Sequence, residues 1–286
     1  MRFFLVFLLL MNTAFACPVE PHEFVIARFK GFTAEPLPSA SGLTEQDFTE
    51  ALGRVRDHYA KVFSDMGLAV DFTIDWNNEW FNAQTGWAGE KKLRFFFAGA
   101  LARGRYMTRD GLMYVGCHEM GHHFGGFPKK EGKWSTSEGG ADYFAALKCM
   151  RDILKHDPEN EAAEALELPE GVKAKCREVY ADADDYRICL RTAKAGEDIA
   201  KTFQFKASRA EQAESMFFRV LPEVSVTNTG YPPNACRAET AFQGAICTKG
   251  PEFPVSYVNE FNGYCHEKNG DTFGMRPKCW FKPNLE

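Results

Sequence analysis

Three residues near the middle of the chain have the types and the spacing of a catalytic metal site. His118, Glu119 and His122 form the pattern H-E-x-x-H within residues 117–126. Side chains four positions apart lie on one face of a helix, so the two imidazoles can bind one zinc ion. Glu119 points away from that pair, where its carboxylate can take a proton from a water that the metal activates. The pattern therefore predicts hydrolytic zinc chemistry.

The residues around this pattern predict a helix of about four turns. Thr108 or Asp110 can serve as its N-cap, residues 125–126 are glycines that can end it, and Pro128 prevents its continuation. Its buried face is predicted from apolar side chains at suitable spacing, namely Leu112, Met113, Val115 and Met120. His123 lies outside the ligand pattern, and we expect it to pack or to support a ligand rather than to bind the metal.

A catalytic zinc usually has three protein ligands, so one more is needed. The longer pattern H-E-x-x-H-x-x-G-x-x-H would require His at position 128, which is proline. Ser135 and Glu138 have capping-box spacing, which predicts that a second helix begins here and continues to about Met150. On that helix Glu138 can bind zinc, and Asp142 can accept the second ring N–H of a ligand histidine. Alternatively, Glu138 only caps its helix and Asp142 is solvated.

The pair H-E-x-x-H and E-x-x-x-D, here Glu138 to Asp142, resembles the gluzincin zinc metallopeptidases. Two other segments are similar to the CAAX prenyl endopeptidase and heat-shock membrane protease group of the gluzincins. Asn82-Ala83 precedes a strand-like run, and residues 231–237 resemble that group's H-P-P-x-x-x-R segment. The chain departs from the group at Tyr231, where the group has histidine, and it lacks the group's membrane spans. It resembles a soluble, exported relative.

The resemblance implies a zincin-like fold and roles for residues far from the zinc motif. A segment around residues 82–97 would form the edge strand that binds extended substrate, with Asn82 and Ala83 in contact with it. Tyr231 would donate a hydrogen bond to the oxyanion, and Arg237 would reinforce the site or pair with Asp142. The alternatives are that Asn82 serves only a turn and that Tyr231 only packs against the neighbouring prolines.

The N-terminus predicts export. Residues 1–16 combine Arg2, an apolar run and Ala14-Phe15-Ala16, which is typical of a secretory signal peptide. Cleavage would leave Cys17 first, so a lipid anchor at Cys17 is the alternative to simple export to the periplasm or the medium. No later run is long enough for a transmembrane span. The remaining residues 17–286 are expected to form one domain.

Composition indicates a globular protein, with 26% charged and 45% hydrophobic residues. The net charge is −5 and no basic block is present, which argues against nucleic acid as a partner. Nine cysteines in an exported chain predict disulfides. Their spacing favours the pairs Cys236–Cys247, Cys265–Cys279, Cys176–Cys189 and Cys117–Cys149, with Cys17 left over. The alternative for Cys117 is a thiolate ligand of zinc.

The predicted fold is α+β and zincin-like. A small N-terminal mixed sheet and the H-E-x-x-H helix occupy residues 17–126, a mainly helical lobe occupies 127–225, and an irregular, disulfide-linked tail occupies 226–286. Periodicity predicts strands at about 23–33, 70–76 and 93–97 and helices at about 44–66, 138–155, 160–180, 186–204 and 208–220.

The predicted function is that of a zinc metallopeptidase with a peptide or protein substrate and Glu119 as general base. Peptide cross-links of the cell wall are one possible substrate. The alternative is a non-catalytic exported module in which zinc is structural. Glu119 distinguishes these functions, because a structural zinc site has no use for a carboxylate at that position and usually has four protein ligands.

Overall fold

The computed structural model describes residues 41–204 and 207–284. The predicted signal peptide at 1–16, Cys17 and the predicted strand at 23–33 lie outside these residues. In chain order the elements are α1 (Glu45–Asp65), β1 (Ala69–Asp75), β2 (Ala83–Gly89), β3 (Lys92–Ala98), α2 (Gly99–Ala102), α3 (Arg109–Phe124), α4 (Glu138–Phe144), a π-helical segment (Ala145–Met150), α5 (Arg151–Ile153), a 3₁₀ helix (Pro158–Ala165), α6 (Glu170–Val179), α7 (Ala183–Thr202), α8 (Arg209–Ala213), α9 (Asn234–Ile246) and a 3₁₀ turn (Glu267–Asn269).

The sheet is small and mixed, as predicted. Its strand order is β1-β3-β2, with β1 parallel and β2 antiparallel to β3. The predicted strands at 70–76 and 93–97 correspond to β1 and β3, and the α+β class is confirmed. The edge-strand prediction needs a correction, because β3, which fills much of residues 82–97, is the central strand. Only β2, which begins at Ala83, lies at an edge in that segment.

The H-E-x-x-H helix, α3, is packed between α1 and α4. The side chains of Phe48, Leu52 and Val55 on α1 are completely buried against it. On the other side, Gly121 of α3 lies directly against Ala141 of α4. A Cβ atom at position 121 would be only 2.8 Å from the Ala141 carbonyl oxygen, so the close approach of these two helices requires glycine.

The helical lobe contains the predicted helices, with differences near Pro169 and beyond Ala213. Helix α4, the π-helical segment and α5 form one continuous helix, as predicted for 138–155, and α7 corresponds to 186–204. The predicted helix at 160–180 is broken before Pro169, because a residue that precedes proline disfavours the helical conformation. The prediction for 208–220 is wrong beyond Ala213. There the chain is no longer helical, and Met216 is buried and donates its N–H to Glu197 at 3.0 Å.

The tail is less irregular than predicted, because α9 spans Asn234–Ile246. Pro232 and Pro233 directly precede α9 rather than exclude a helix, since proline is well tolerated at a helix start. The disulfides Cys117–Cys149 and Cys176–Cys189 are confirmed, which excludes Cys117 as a thiolate ligand.

The other two predicted disulfides are wrong. The observed pairs are Cys236–Cys279 and Cys247–Cys265, with Cα–Cα distances of 6.0 Å and 5.8 Å. Cys236 and Cys247 lie at opposite ends of α9, about 16 Å apart along its axis, which is too far for a disulfide. Among the described residues, no helix has the length and the apolar character needed to cross a membrane.

Candidate metal centre

Helix α3 presents both histidines to the interior of the protein. The Thr108 hydroxyl caps its first turn by accepting the Gly111 N–H at 3.0 Å. His118 and His122 are buried, and their rings lie close together with centroids 4.7 Å apart. The helix therefore places two imidazoles side by side, as the i, i+4 spacing predicts.

Helix α4 brings Glu138 to the same point. Its N-cap is Ser137, which accepts the Gly140 N–H at 3.2 Å, so the predicted capping box that begins at Ser135 is wrong. Glu138 Oε2 lies 3.2 Å from His118 Nε2 and 3.7 Å from His122 Nε2. The ligand atoms of these three residues are all within 4.8 Å of one another, so they could hold one metal ion.

Hydrogen bonds on the far side of each ring set the orientation of the histidines. His118 Nδ1 lies 2.8 Å from Asp142 Oδ1, and His122 Nδ1 lies 2.9 Å from the Thr136 carbonyl oxygen. A ring that donates from Nδ1 keeps the lone pair of Nε2 for a metal. This is the arrangement predicted for Asp142, and it excludes the alternative in which Asp142 is solvated.

Arg237 of α9 pairs with the same carboxylate, as the resemblance implies. Its Nε and Nη2 lie 2.8 Å from Oδ2 and Oδ1 of Asp142, respectively. Burial alone would raise the pKa of Asp142, but Arg237 and His118 outweigh this effect and lower that pKa to about 2. Asp142 is therefore ionised and holds His118 in place.

Buried atoms without a partner are consistent with a cation between these residues. Glu138 Oε2, His122 Nε2 and Glu119 Oε2 are all covered and have no hydrogen-bond partner. Buried polar atoms are normally paired, so three unpaired atoms in one place suit a bound cation. Two imidazole nitrogens and one carboxylate oxygen are a suitable donor set for a transition metal.

The charges also favour a cation. Burial alone would lower the pKa of His118, yet the carboxylates of Asp142 and Glu138 raise it to about 9. The pKa of its neighbour His122 is lowered to about 3 by burial, despite the charge of Glu138. Without metal, a pKa of about 9 keeps a proton on His118, and a bound metal ion would replace that proton.

Glu119 lies beside the cluster but is not one of its ligands. It is 4% exposed, and burial raises its pKa to about 7. A carboxyl group with this pKa can both accept and return a proton near neutral pH.

The structure also brings in two residues that the sequence analysis missed. Lys130 is buried, and its Nζ lies 2.5 Å from Glu138 Oε1, the oxygen that faces away from the histidines. Thr136 orients His122 through its backbone carbonyl. Both are in the connection between α3 and α4. A lysine in a Pro-Lys-Lys-Glu-Gly segment is expected to be exposed to solvent, so the sequence does not indicate that Lys130 is buried. The contact of Thr136 is made by its backbone, which does not depend on the type of side chain.

The remaining predicted residues have different positions relative to the cluster. Tyr231 is 59% exposed, and its ring centroid lies 6.0 Å from both Lys130 Nζ and Arg237 Cζ, so it lies next to residues that contact the centre. Asn82 and Ala83 begin β2, where the Asn82 carbonyl accepts the Ala98 N–H at 3.3 Å and Ala83 pairs with Phe97. The structure shows no contact between these two residues and the ligand cluster.

His123 packs rather than binds metal, as expected. Its ring stacks on Trp134 with centroids 4.5 Å apart, and its Nε2 lies 2.7 Å from the Thr85 hydroxyl of β2. It thereby ties α3 to the edge strand.

Comparison of the chain with protein-family models, with curated proteins and with solved structures finds no match.

Proposed function

We propose that the chain is a zinc-dependent metallopeptidase of the exported, soluble type. The observation that carries this proposal is the buried cluster of His118, His122 and Glu138 with the unpaired carboxylate oxygen of Glu119 beside it. The disulfides are consistent with an exported protein.

Each residue of the centre has a role that follows from its contacts. His118, His122 and Glu138 would hold the zinc ion, while Asp142 and Lys130 fix the orientation of His118 and Glu138. When bound, zinc would lower the pKa of water and polarise the substrate carbonyl. Glu119 accepts a proton from water through its free oxygen and then donates that proton to the leaving amine.

The substrate backbone would lie along β2. Among the described residues, β2 pairs only with β3, so its other edge has unpaired backbone groups. Because the Asn82 carbonyl faces β3, the alternation of an antiparallel strand turns the backbone groups of Ala83, Thr85 and Trp87 outward. His123 joins this strand to the helix that carries the ligands, so an extended peptide on β2 would pass close to the centre.

The test compares the wild-type protein with Glu119→Gln. An amide cannot accept the proton, so this variant should keep zinc and fold but lose peptide hydrolysis. The matched control is Glu161→Gln, an identical change at an exposed position, which should leave turnover unchanged. Zinc content is measured by elemental analysis and hydrolysis on a peptide library. Near wild-type turnover in Glu119→Gln would refute the role of Glu119. A zinc-loaded wild-type protein that cleaves no peptide would favour the non-catalytic module.

A further inference from the structure

A second cluster of buried polar groups lies in the tail and contains none of the metal-centre residues. Arg276 is 4% exposed, and only its Nη1 has an acceptor, the Phe127 carbonyl at 2.9 Å. Its Nε and Nη2 have no hydrogen-bond partner. The guanidinium lies between the rings of Phe281 and Tyr264, with Cζ 4.2 Å and 4.8 Å from their centroids. Rings cover its faces, and its Nε/Nη2 edge lacks an acceptor.

A histidine beside this arginine offers a third unused donor. His266 Nδ1 accepts the Lys268 N–H at 3.1 Å, so the ring proton is on Nε2. His266 is 2% exposed, and Nε2 has no hydrogen-bond partner; its nearest carboxylate oxygen, Oε1 of Glu260, is 3.6 Å away. Burying such donors without an acceptor is unfavourable, and more so for a charged group.

Arg276 and His266 both line a cavity of about 710 Å³. This volume is within the usual range for small-molecule sites. The apolar part of the wall includes Phe218, Phe242, Ile246, Phe273, Met275 and Phe281. Two pairs of polar side chains at the wall already bind one another, Lys175–Glu178 and Gln243–Glu239, both at 2.8 Å. Arg276 is the wall cation that has no such carboxylate partner among the described residues.

We propose that this cavity binds a carboxylate with an apolar body. The carboxylate would accept two parallel hydrogen bonds from Nε and Nη2 of Arg276 and a third from Nε2 of His266, while the apolar body lies against the phenyl rings. The Nε/Nη2 edge of arginine matches the two oxygens of a carboxylate. A single unpaired cation suits a monoanion better than a phosphate. The three nitrogens are themselves covered, so a wall side chain moves aside as the ligand enters.

Two sources share this chemistry, a free apolar acid and the C-terminal end of a peptide. Isothermal titration calorimetry on the intact zinc-loaded protein would compare 3-phenylpropionate with 3-phenylpropanamide, and Ala-Ala-Phe with its C-terminal amide. Each acid that binds should do so at least roughly tenfold more tightly than its amide, because the amide offers only one acceptor and no charge. Binding by one acid alone identifies the source. Equal affinity of acid and amide, or no binding by either acid, overturns the proposal.

Variants separate this site from the metal centre, which could also bind carboxylates. Phe218 is 56% exposed and has a φ of 59°, so Phe218→Asn removes its ring without straining the backbone. This variant should weaken binding by roughly tenfold through lost apolar contact. The control Phe253→Asn removes a ring of 41% exposure outside the cavity wall and should change nothing. Arg276→Met should abolish binding. If this variant fails to fold, the comparison of Phe218→Asn with Phe253→Asn and the comparison of acid with amide still test the proposal. Equal binding by both phenylalanine variants would place the ligand elsewhere. The proposal does not depend on peptidase activity.

Discussion

Replacing Arg237 with Met tests whether the tail supports the metal centre. Arg237 donates two hydrogen bonds of 2.8 Å to Asp142, and both residues are buried. The substitution leaves the Asp142 carboxylate in the interior with only His118 as a partner. Removing one member of a buried ion pair typically costs about 3–5 kcal/mol. We therefore expect Arg237→Met to lower the free energy of unfolding by about that amount.

The measurement is urea unfolding of the metal-free protein with its disulfides intact. The matched control is Arg187→Met, which breaks a 3.0 Å pair with Glu164 in which the side chains are 29% and 51% exposed. An exposed pair of this kind contributes at most about 1 kcal/mol. The comparison therefore separates the loss of a buried partner from the loss of an arginine at the surface.

A double-mutant cycle isolates the unpaired charge. Adding Asp142→Asn to Arg237→Met removes the charge that lost its partner, so the double variant should be about 1–3 kcal/mol more stable than the sum of the single changes predicts. Strict additivity, or a cost below 1 kcal/mol for Arg237→Met alone, would refute the view that Arg237 neutralises Asp142.

The remaining predictions concern metal, catalysis, packing and pH. Glu138→Ala should remove most of the bound zinc, whereas Asp142→Asn should weaken zinc binding about 10–100-fold in a competition titration with a chelator. If Tyr231 donates to the oxyanion, Tyr231→Phe should lower kcat by roughly 10²–10³ with little change in KM, and an unchanged kcat would exclude that role. Lys148 Nζ donates to three carbonyls within residues 249–253 at 2.5–2.8 Å, so Lys148→Met should lower the free energy of unfolding by about 2–3 kcal/mol in urea. Burial raises the pKa of Asp198 from 3.8 to about 6, although Lys194 opposes the shift. The folded state therefore binds this proton more tightly than the unfolded state, so stability should rise by about 2 kcal/mol as pH falls from 7 to 4, and Asp198→Asn should remove that component of the pH dependence.

Local signals predicted the ligand cluster well. The positions of His118, His122 and Glu138 depend on helical periodicity, which is a property of short segments. The partner of Asp142 was predicted only through the resemblance of residues 231–237, because nothing local connects Arg237 with a residue 95 positions earlier.

What the sequence did not predict depends on the arrangement of distant segments. Lys130 is buried only because its loop folds against α4, and the pairing of Cys236 with Cys279 requires knowing that α9 separates Cys236 from Cys247. Helix α9 was missed because its flanking prolines and cysteines resemble those of an irregular segment. The edge position of β2 follows from the order of the strands in the sheet, and the sequences of three short strands do not determine that order.

The dependence of Asp142 on Arg237 has a consequence for how the protein is made. A ribosome releases the metal ligands long before it releases Arg237, and Arg237 is held next to Cys236, whose disulfide partner is Cys279, near the end of the described chain. A nascent or truncated chain therefore has the three ligands but lacks the cation that neutralises Asp142. If the centre binds metal as proposed, its full affinity would arise only after Arg237 and the Cys236–Cys279 disulfide are in place, and the proposed hydrolase would be inactive before that point.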